Sequence, residues 1–508
     1  MSNTKKITLM AFILMMLTSV FGVTNIGIGF YRMGYAAIPM FVIGGLFYFI
    51  PYIMMMIELA TGFKGQGGGI YTWMEKSVSV KFAFIGIMMW YSSYVIWMFG
   101  KALSLWVPLS FAIFGKDITV TPINVSAEVQ GNIVFGPTDF GPFILGIVGI
   151  LIVLLLAKIV SSGAGRLAKI TSIGGLAVVS LNLVLLVGGV FAISRNLIDG
   201  HMFKETLTVQ SLISSPNPDF QNVMAFFGFV VFAVFAYGGT EAIAGVATDL
   251  ENPERDLKRG IFMSGAFIVI AYILGFFMVG AALEWSQFGE GVSSLSALFL
   301  IMGHLGDAIM GVEGSILGQF LTRFAGLGMF LSYIGALVAL SYAPLKQMIE
   351  GTPSEFWPES FKNVNENGVR VGAVKMQAII VIAFIAAKSI LSLVNPDGAA
   401  KLYELIITMT NVGMTIPYVF LIFAWFKFRN NDSLEKDVIL IKSKFMVTVC
   451  LVSTIFLVMF GNIFTIVAPF IGDTPDYQTG IWTIIGPVIF SVIALVIYSL
   501  GEAKINNK

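Results

Sequence analysis

Cysteine and histidine are almost missing from this sequence. The single cysteine, Cys450, lies in an apolar run, and one sulfur can build neither a disulfide framework nor a cysteine-based metal site. Histidine occurs only at His201 and His304, both in stretches that read as loops, so no cluster of metal-binding or acid–base residues forms at a membrane face. No metal, cofactor or catalytic centre is expected. Charge is scarce too: Asp, Glu, Lys and Arg make up 12% of 508 residues, about half the roughly 25% of an ordinary soluble domain. A chain so poor in charge cannot clothe a water-facing surface, so lipid must be the solvent for most of it. The net charge of +1 lacks the basic footprint that a nucleic-acid partner requires. Polar blocks long enough for a separate soluble domain are also absent. Soluble enzymes and secreted modules are thereby excluded.

What the chain has in abundance is apolar sequence, 57% of its residues. A hydrocarbon core of about 30 Å takes about 20 helical residues per crossing, so this length allows roughly a dozen spans with short loops. Long apolar runs fall near residues 7–30, 38–59, 82–114, 140–157, 171–193 and 223–246, then 261–283, 316–345, 374–394, 402–426, 445–471 and 481–500. The first run is longer than a signal-peptide core and continues into membrane-like sequence, so no cleavable leader is expected. The expected fold is all-α, one membrane domain over residues 1–508 with twelve transmembrane helices. An even number of spans puts both termini on one side. Segments on that side carry Lys5, Lys6, Lys64, Lys76, Lys81, Lys158, Arg166, Lys169, Arg255, Lys258 and Arg259, and the later ones continue the bias to Lys444. The opposite loops hold only Arg32, Lys116, Arg195, Lys204 and Lys401, so both termini are expected in the cytoplasm of a cell-membrane protein. The stretch 294–311 reads as a short helix lying across the outer mouth.

A helix in lipid satisfies its own backbone, so interruptions persist only where they line a cavity or are covered by protein. Two spans carry such interruptions. The first holds Gly22, Val23, Thr24 and Asn25, followed by Gly27 and Gly29; the sixth holds Phe235, Ala236, Tyr237, Gly238, Gly239, Thr240 and Glu241. These spans are corresponding members of two five-span halves, the arrangement in which inverted-repeat transporters place their broken helices. One broken end offers amide groups to a carboxylate and another offers carbonyls to an ammonium group, which together suit a zwitterionic amino acid. Against this stands close helix packing, the ordinary use of small residues in membranes. Matched positions and a carboxylate in mid-span favour a binding site.

The stretch from Gly238 to Ala242, followed by Glu251-Asn252-Pro253-Glu254-Arg255, resembles the G-x-E…E-N-P-x-R signature of the amino acid–polyamine–organocation superfamily. Gly67-Gly68-Gly69-Ile70-Tyr71 resembles its G-G-x-Y motif, and Asn411-Val412-Gly413 resembles its polar break in span ten. The likeness extends over essentially the whole chain, and the first span and Ala343-Pro344-Leu345-Lys346 look most like the bacterial glutamate/GABA antiporter branch. The family's G-[SA]-G in span one is replaced by Gly22-Val23-Thr24 or, alternatively, by Gly27-Ile28-Gly29, and the branch's C-terminal plug is absent. The resemblance implies alternating access and a five-plus-five inverted repeat (about 7–194 and 223–426) with extra helices at about 445–500. It also implies that Gly22, Val23 and Thr24 meet the substrate carboxylate with Asn25 nearby, and that Phe235 forms an aromatic gate. Ala236, Tyr237 and Gly238 would then offer carbonyls to the amine, with Ser93 and Tyr94 lining the pocket. Sodium coupling is disfavoured, because span eight has only the separated Ser332 and Ser341 where related folds use an adjacent Thr-Ser pair.

The remaining intramembrane charges are weighed singly. A carboxylate at mid-depth costs about 2.5–3.5 kcal/mol on insertion scales, so Glu241 is a candidate for proton coupling and gating, set against a permanently neutral cap. Arg323 is either a charge for substrate or ion pairing, or a guanidinium snorkelling to the interface. Lys101 and Lys388 read as snorkelling, and Glu58 as an interfacial or gating charge. The function expected is secondary active transport of an amino acid by exchange or proton-coupled symport. The alternatives are a polyamine or other amine permease, and a receptor that binds an amino acid without moving it. The partners expected are that small molecule and the lipid bilayer; the sequence leaves open whether copies associate as a homo-oligomer.

Overall fold

The computed structural model describes residues 6–63, 66, 68–129, 132–242, 249–289, 292–471 and 475–506. Among these, eleven helical stretches are long and apolar enough to cross a membrane. The first, Leu9–Gly62, has 54 residues. At about 1.5 Å per residue such a run is about 80 Å long, more than twice a hydrocarbon core. It is not one rod. Helix α1 (Leu9–Val20) starts on Thr8, whose hydroxyl accepts from the Ala11 amide, and stops where Phe21 and Gly22 turn extended (φ −85°, ψ 106° and φ −95°, ψ 99°). Helix α2 (Val23–Met33) follows, and Gly34, at φ 54°, turns the chain into α3 (Ala37–Gly44) and α4 (Ile50–Gly62).

Helix α5 (Ile70–Ser77) precedes α6 (Val80–Ser104), which is capped by Ser79 and prolonged by α7 (Trp106–Phe114). The body is all-helical; the next loop adds a small antiparallel hairpin, β1 (Asn124–Val129) and β2 (Asn132–Asp139), with Asn124 opposite Asp139. Then come α8 (Gly141–Val160), α9 (Ala164–Asn196), the short α10 (Val209–Ile213) and α11 (Val223–Phe235), the last capped by Asn222. After it come α12 (Pro253–Ala282), α13 (Ala297–Met310) and α14 (Ile316–Gly351). The chain ends with α15 (Glu359–Lys362), α16 (Val371–Val394), α17 (Pro396–Asn430), α18 (Lys444–Val467) and α19 (Tyr477–Asn506). Helix α13 is the short helix expected at 294–311.

Two spans differ from their expected outlines. Span six, expected to reach residue 246, is α-helical only to Phe235; residues 243–248 lie outside the described residues. Span ten has no break at Asn411: α17 runs unbroken through that position, and the side chain of Asn411 lies outside the described ones. An asparagine alone does not interrupt a helix, and even Pro417, which lacks an amide, is carried inside α17.

The apolar exterior explains the composition. Leu151, Leu154 and Leu155 on α8, Leu176 and Val187 on α9, and Val488, Val492 and Val496 on α19 are all exposed. Water would penalise such a surface, whereas lipid tails solvate it. Inside, α1 crosses α9 and α14 so closely that the Thr18 hydroxyl donates to the Leu14 and Thr171 carbonyls at 2.7 and 2.9 Å. At Gly175 an added Cβ would collide with the Leu14 carbonyl, a backbone atom that cannot swing aside. Gly175→Ala is therefore expected to destabilise the protein by about 1–3 kcal/mol, the usual scale of overpacking, whereas Gly289→Ala meets open space and should be silent. Thermal unfolding of both purified variants checks this; equal midpoints would remove the close crossing as a source of stability.

Candidate functional site

The break between α1 and α2 and the end of α11 open onto one cavity of about 360 Å3. From the first break it takes Thr18 to Gly22, Thr24 and Asn25; from the other, Phe232, Phe235, Ala236, Gly238 and Gly239. Helix α6 contributes Tyr94, Trp97 and Lys101, α14 contributes Met329, Ser332, Tyr333, Ala336 and Leu340, and α17 contributes Met414, Thr415 and Tyr418. The N-terminal end of α2 and the C-terminal end of α11 thus face the same space with opposite partial charges. Gly239 holds φ 108°, a conformation that glycine adopts freely and L side chains do not.

Interrupted backbone must find other partners, and the partners are specific side chains. The Tyr272 hydroxyl on α12 donates to the Ala236 carbonyl at 3.0 Å and receives the Gly22 amide at 3.2 Å and the Asn25 side-chain amide at 3.0 Å. One hydroxyl therefore clasps both breaks. Farther along, the Gln347 side-chain amide on α14 donates to the Glu241 and Ala242 carbonyls at 3.2 and 3.0 Å, while its oxygen accepts the Ile70 amide at 3.0 Å. The G-G-x-Y glycines are bent to meet it, Gly68 and Gly69 both having positive φ. Around them the N-terminal segment pairs with the chain after span six, Ile7 N–H to the Asp249 carbonyl and Glu251 N–H to the Ile7 carbonyl, both at 2.9 Å. Lys346 reaches the Asp249 carboxylate at 2.8 Å.

Glu241 is 1% exposed and lies behind the cavity wall rather than in it. Its Oε1 accepts from Trp90 Nε1 at 3.1 Å and from the Tyr94 hydroxyl at 3.4 Å, and its Oε2 accepts from the Tyr52 hydroxyl at 3.3 Å. Tyr418, whose ring centroid lies 5.4 Å from that of Tyr52, also lines the cavity, and Tyr94 touches the cavity on one side and Glu241 on the other.

The structure brings together Gly22, Thr24, Asn25, Tyr94, Phe235, Ala236 and Gly238 and leaves other expected residues out. Val23 is fully buried in packing. Ser93 is turned towards Gly413 of α17 and donates to the Met89 carbonyl, because adjacent helix residues point about 100° apart and Tyr94 has the cavity face. Tyr237 points to α3, where its hydroxyl donates to the Phe41 carbonyl at 3.0 Å. Gly27 and Gly29 belong to continuous helix and accommodate Leu298 and Phe276, so of the two glycine sets only Gly22 marks the break. Arg323 is exposed, with its guanidinium over Gly115, and does not line the cavity. Lys101, expected only to snorkel, lines the cavity half-buried, with its ammonium 3.9 Å from the centroid of Tyr333. Tyr272, Gln347 and Tyr418 were missed, since nothing near them in sequence marks them as partners of a break.

The family model described as amino acid permease matches residues 7–493. The inner membrane transporter YjeM of Salmonella typhimurium is 37% identical, over 99% of this chain and 97% of that protein. The aspartate/glutamate permease AcaP of Lactococcus lactis is 22% identical, over 83% of this chain and 80% of its own length. Among solved structures, a manganese transporter of Eremococcus coleocola superposes with a TM-score of 0.57 over all of this chain and 95% of its own, at 12% identity. That last likeness concerns the fold.

Proposed function

Because the chain belongs to the amino acid permease family and is therefore a multi-pass membrane transporter rather than an enzyme, we propose that it moves amino acids by secondary active transport, in exchange or with protons. The observation that carries this reading is the single cavity shared by two helix breaks of opposite polarity. A zwitterion lies there with its carboxylate at the start of α2, near Gly22, Thr24 and Asn25, and its ammonium group near the backbone of Ala236 and Gly238. The Leu9–Gly62 stretch counts as two crossings, giving twelve in all, with spans one and six unwound at mid-depth. The whole chain is one transport domain of two inverted five-span repeats and two further helices. Both termini face the cytoplasm across an inner or plasma membrane, following the Lys and Arg bias. On that side the Glu241 cluster, the Ile7–Leu250 pairing and the Lys346–Asp249 ion pair form the closure that alternating access must open.

The experiment is uptake and exchange of labelled amino acids by the purified protein in proteoliposomes. Accumulation dependent on a trans amino acid or a proton gradient is expected; saturable binding with neither uptake nor exchange would make it a receptor. Phe235 fits a gate, since its ring lies on the cavity wall at the last turn of α11. Phe235→Ala should raise the half-saturation concentration about two- to tenfold, the scale of an aromatic contact of about 0.5–1.5 kcal/mol. Unchanged kinetics would take the gate away from this residue.

A further inference from the structure

Lys101 projects from α6 two turns beyond Tyr94, and its ammonium is held by ring faces rather than by acid. The Tyr333 centroid is 3.9 Å from Nζ and the Trp97 ring 5.5 Å away. No aspartate or glutamate is among the described residues that line the cavity. The Glu241 carboxylate is screened by Tyr94 and Tyr418 and is taken up by Trp90 and tyrosine donors. Lys101 is the one charged side chain among the described residues that line the cavity.

Ring faces attract a cation but leave the hydrogen-bonding demand of an ammonium largely unmet. Both rings that hold this ammonium, Tyr333 and Trp97, themselves line the cavity. A zwitterion's own two charges are matched by the two helix breaks, so Lys101 is left for the substrate's side chain. We propose that Lys101 is the specificity-determining residue of the transport site, selecting amino acids with a side-chain carboxylate and rejecting cationic amines. This inference rests on the transporter reading above. A charge-assisted bond from Nζ to a second carboxylate supplies the acidic partner that no described residue lining the cavity offers, whereas a diamine would place like charges together.

The test is uptake of labelled glutamate, glutamine and putrescine by the same proteoliposomes. Wild-type protein should prefer glutamate. In Lys101→Met the glutamate-to-glutamine uptake ratio should fall about tenfold or more, the scale of one charge-assisted hydrogen bond, and Lys101→Arg should retain the glutamate preference. A wild-type preference for glutamine or putrescine overturns the inference, and does so without any variant that must fold. An unchanged ratio in Lys101→Met overturns it as well, while transport itself stands. If wild-type protein moves no amino acid at all, the transporter reading falls first and takes this inference with it.

Discussion

Glu58→Ala is expected to destabilise the protein by about 3–5 kcal/mol, the penalty for leaving the other member of a buried ion pair alone. Glu58 is 1% exposed, at the end of α4, and both its oxygens are fully used. Oε1 accepts from Arg429 at 3.0 Å and from the Leu440 and Ile441 amides at 2.7 and 3.0 Å. Oε2 accepts from Arg429 at 3.0 Å and from Trp425 Nε1 at 2.8 Å. Arg429 in turn donates to the Ile441 carbonyl at 2.6 Å. The carboxylate thus ties α4 to the end of α17 and to the chain leading into α18. Alanine removes one group and strands a guanidinium, an indole N–H and two backbone amides. The double variant Glu58→Met with Arg429→Met should lose less than the sum of the two single losses, because neither charge is then left unpaired. Unfolding midpoints of Glu58→Ala, of the two single Met variants and of the double variant in detergent decide the matter. A Glu58→Ala midpoint equal to that of wild-type protein would mean that the cluster holds nothing together.

What could be read from sequence was local. The shortage of charge required lipid, and Gly22 and the Gly238-Gly239 pair marked the two interruptions because a backbone that leaves the helix announces itself in small residues. What answers those interruptions comes from far along the chain. Tyr272 stands 250 residues from the Gly22 amide it receives, in a span where one more tyrosine reads as packing. Gln347 is 106 residues from the Glu241 carbonyl it satisfies. Helix rotation was equally hidden: Ser93 and Tyr94 are neighbours, yet only one faces the cavity, and on α14 the exposed Arg323 stands apart from Ser332 and Tyr333, which line it. Glu58 was legible as a charge near a membrane face but not as the centre of a four-donor cluster, since its partners lie beyond residue 424.

Uptake by the wild-type protein is expected to accelerate when external pH is lowered at constant internal pH, and Glu241→Gln is expected to abolish that acceleration. Trp90, Tyr52 and Tyr94 all donate to the carboxylate, an arrangement that suits an anion accepting on both oxygens. A proton on either oxygen turns that position from acceptor to donor, and at least one of these hydroxyls must rotate to meet it. Tyr94 carries the change into the cavity, because its hydroxyl bonds Glu241 while its side chain lines the substrate space. The fully buried Tyr48, stacked on Tyr52, has a hydroxyl with no partner among the described residues and offers a place for the rearranged bond to go. Glutamine preserves the shape and one acceptor oxygen but binds no proton in this range, so coupling should vanish while the protein stays folded. Glu241→Asp should keep a pH dependence, with weaker transport, since the shortened side chain retains the titrating group and draws back from its donors. The competing account, a carboxyl that stays neutral throughout and merely closes off the end of α11, makes the opposite forecast: nothing titrates there, so the pH profile of Glu241→Gln would match that of wild-type protein. The two accounts differ in one measured curve, and a match would leave Glu241 a structural residue and move the search for the proton to another group.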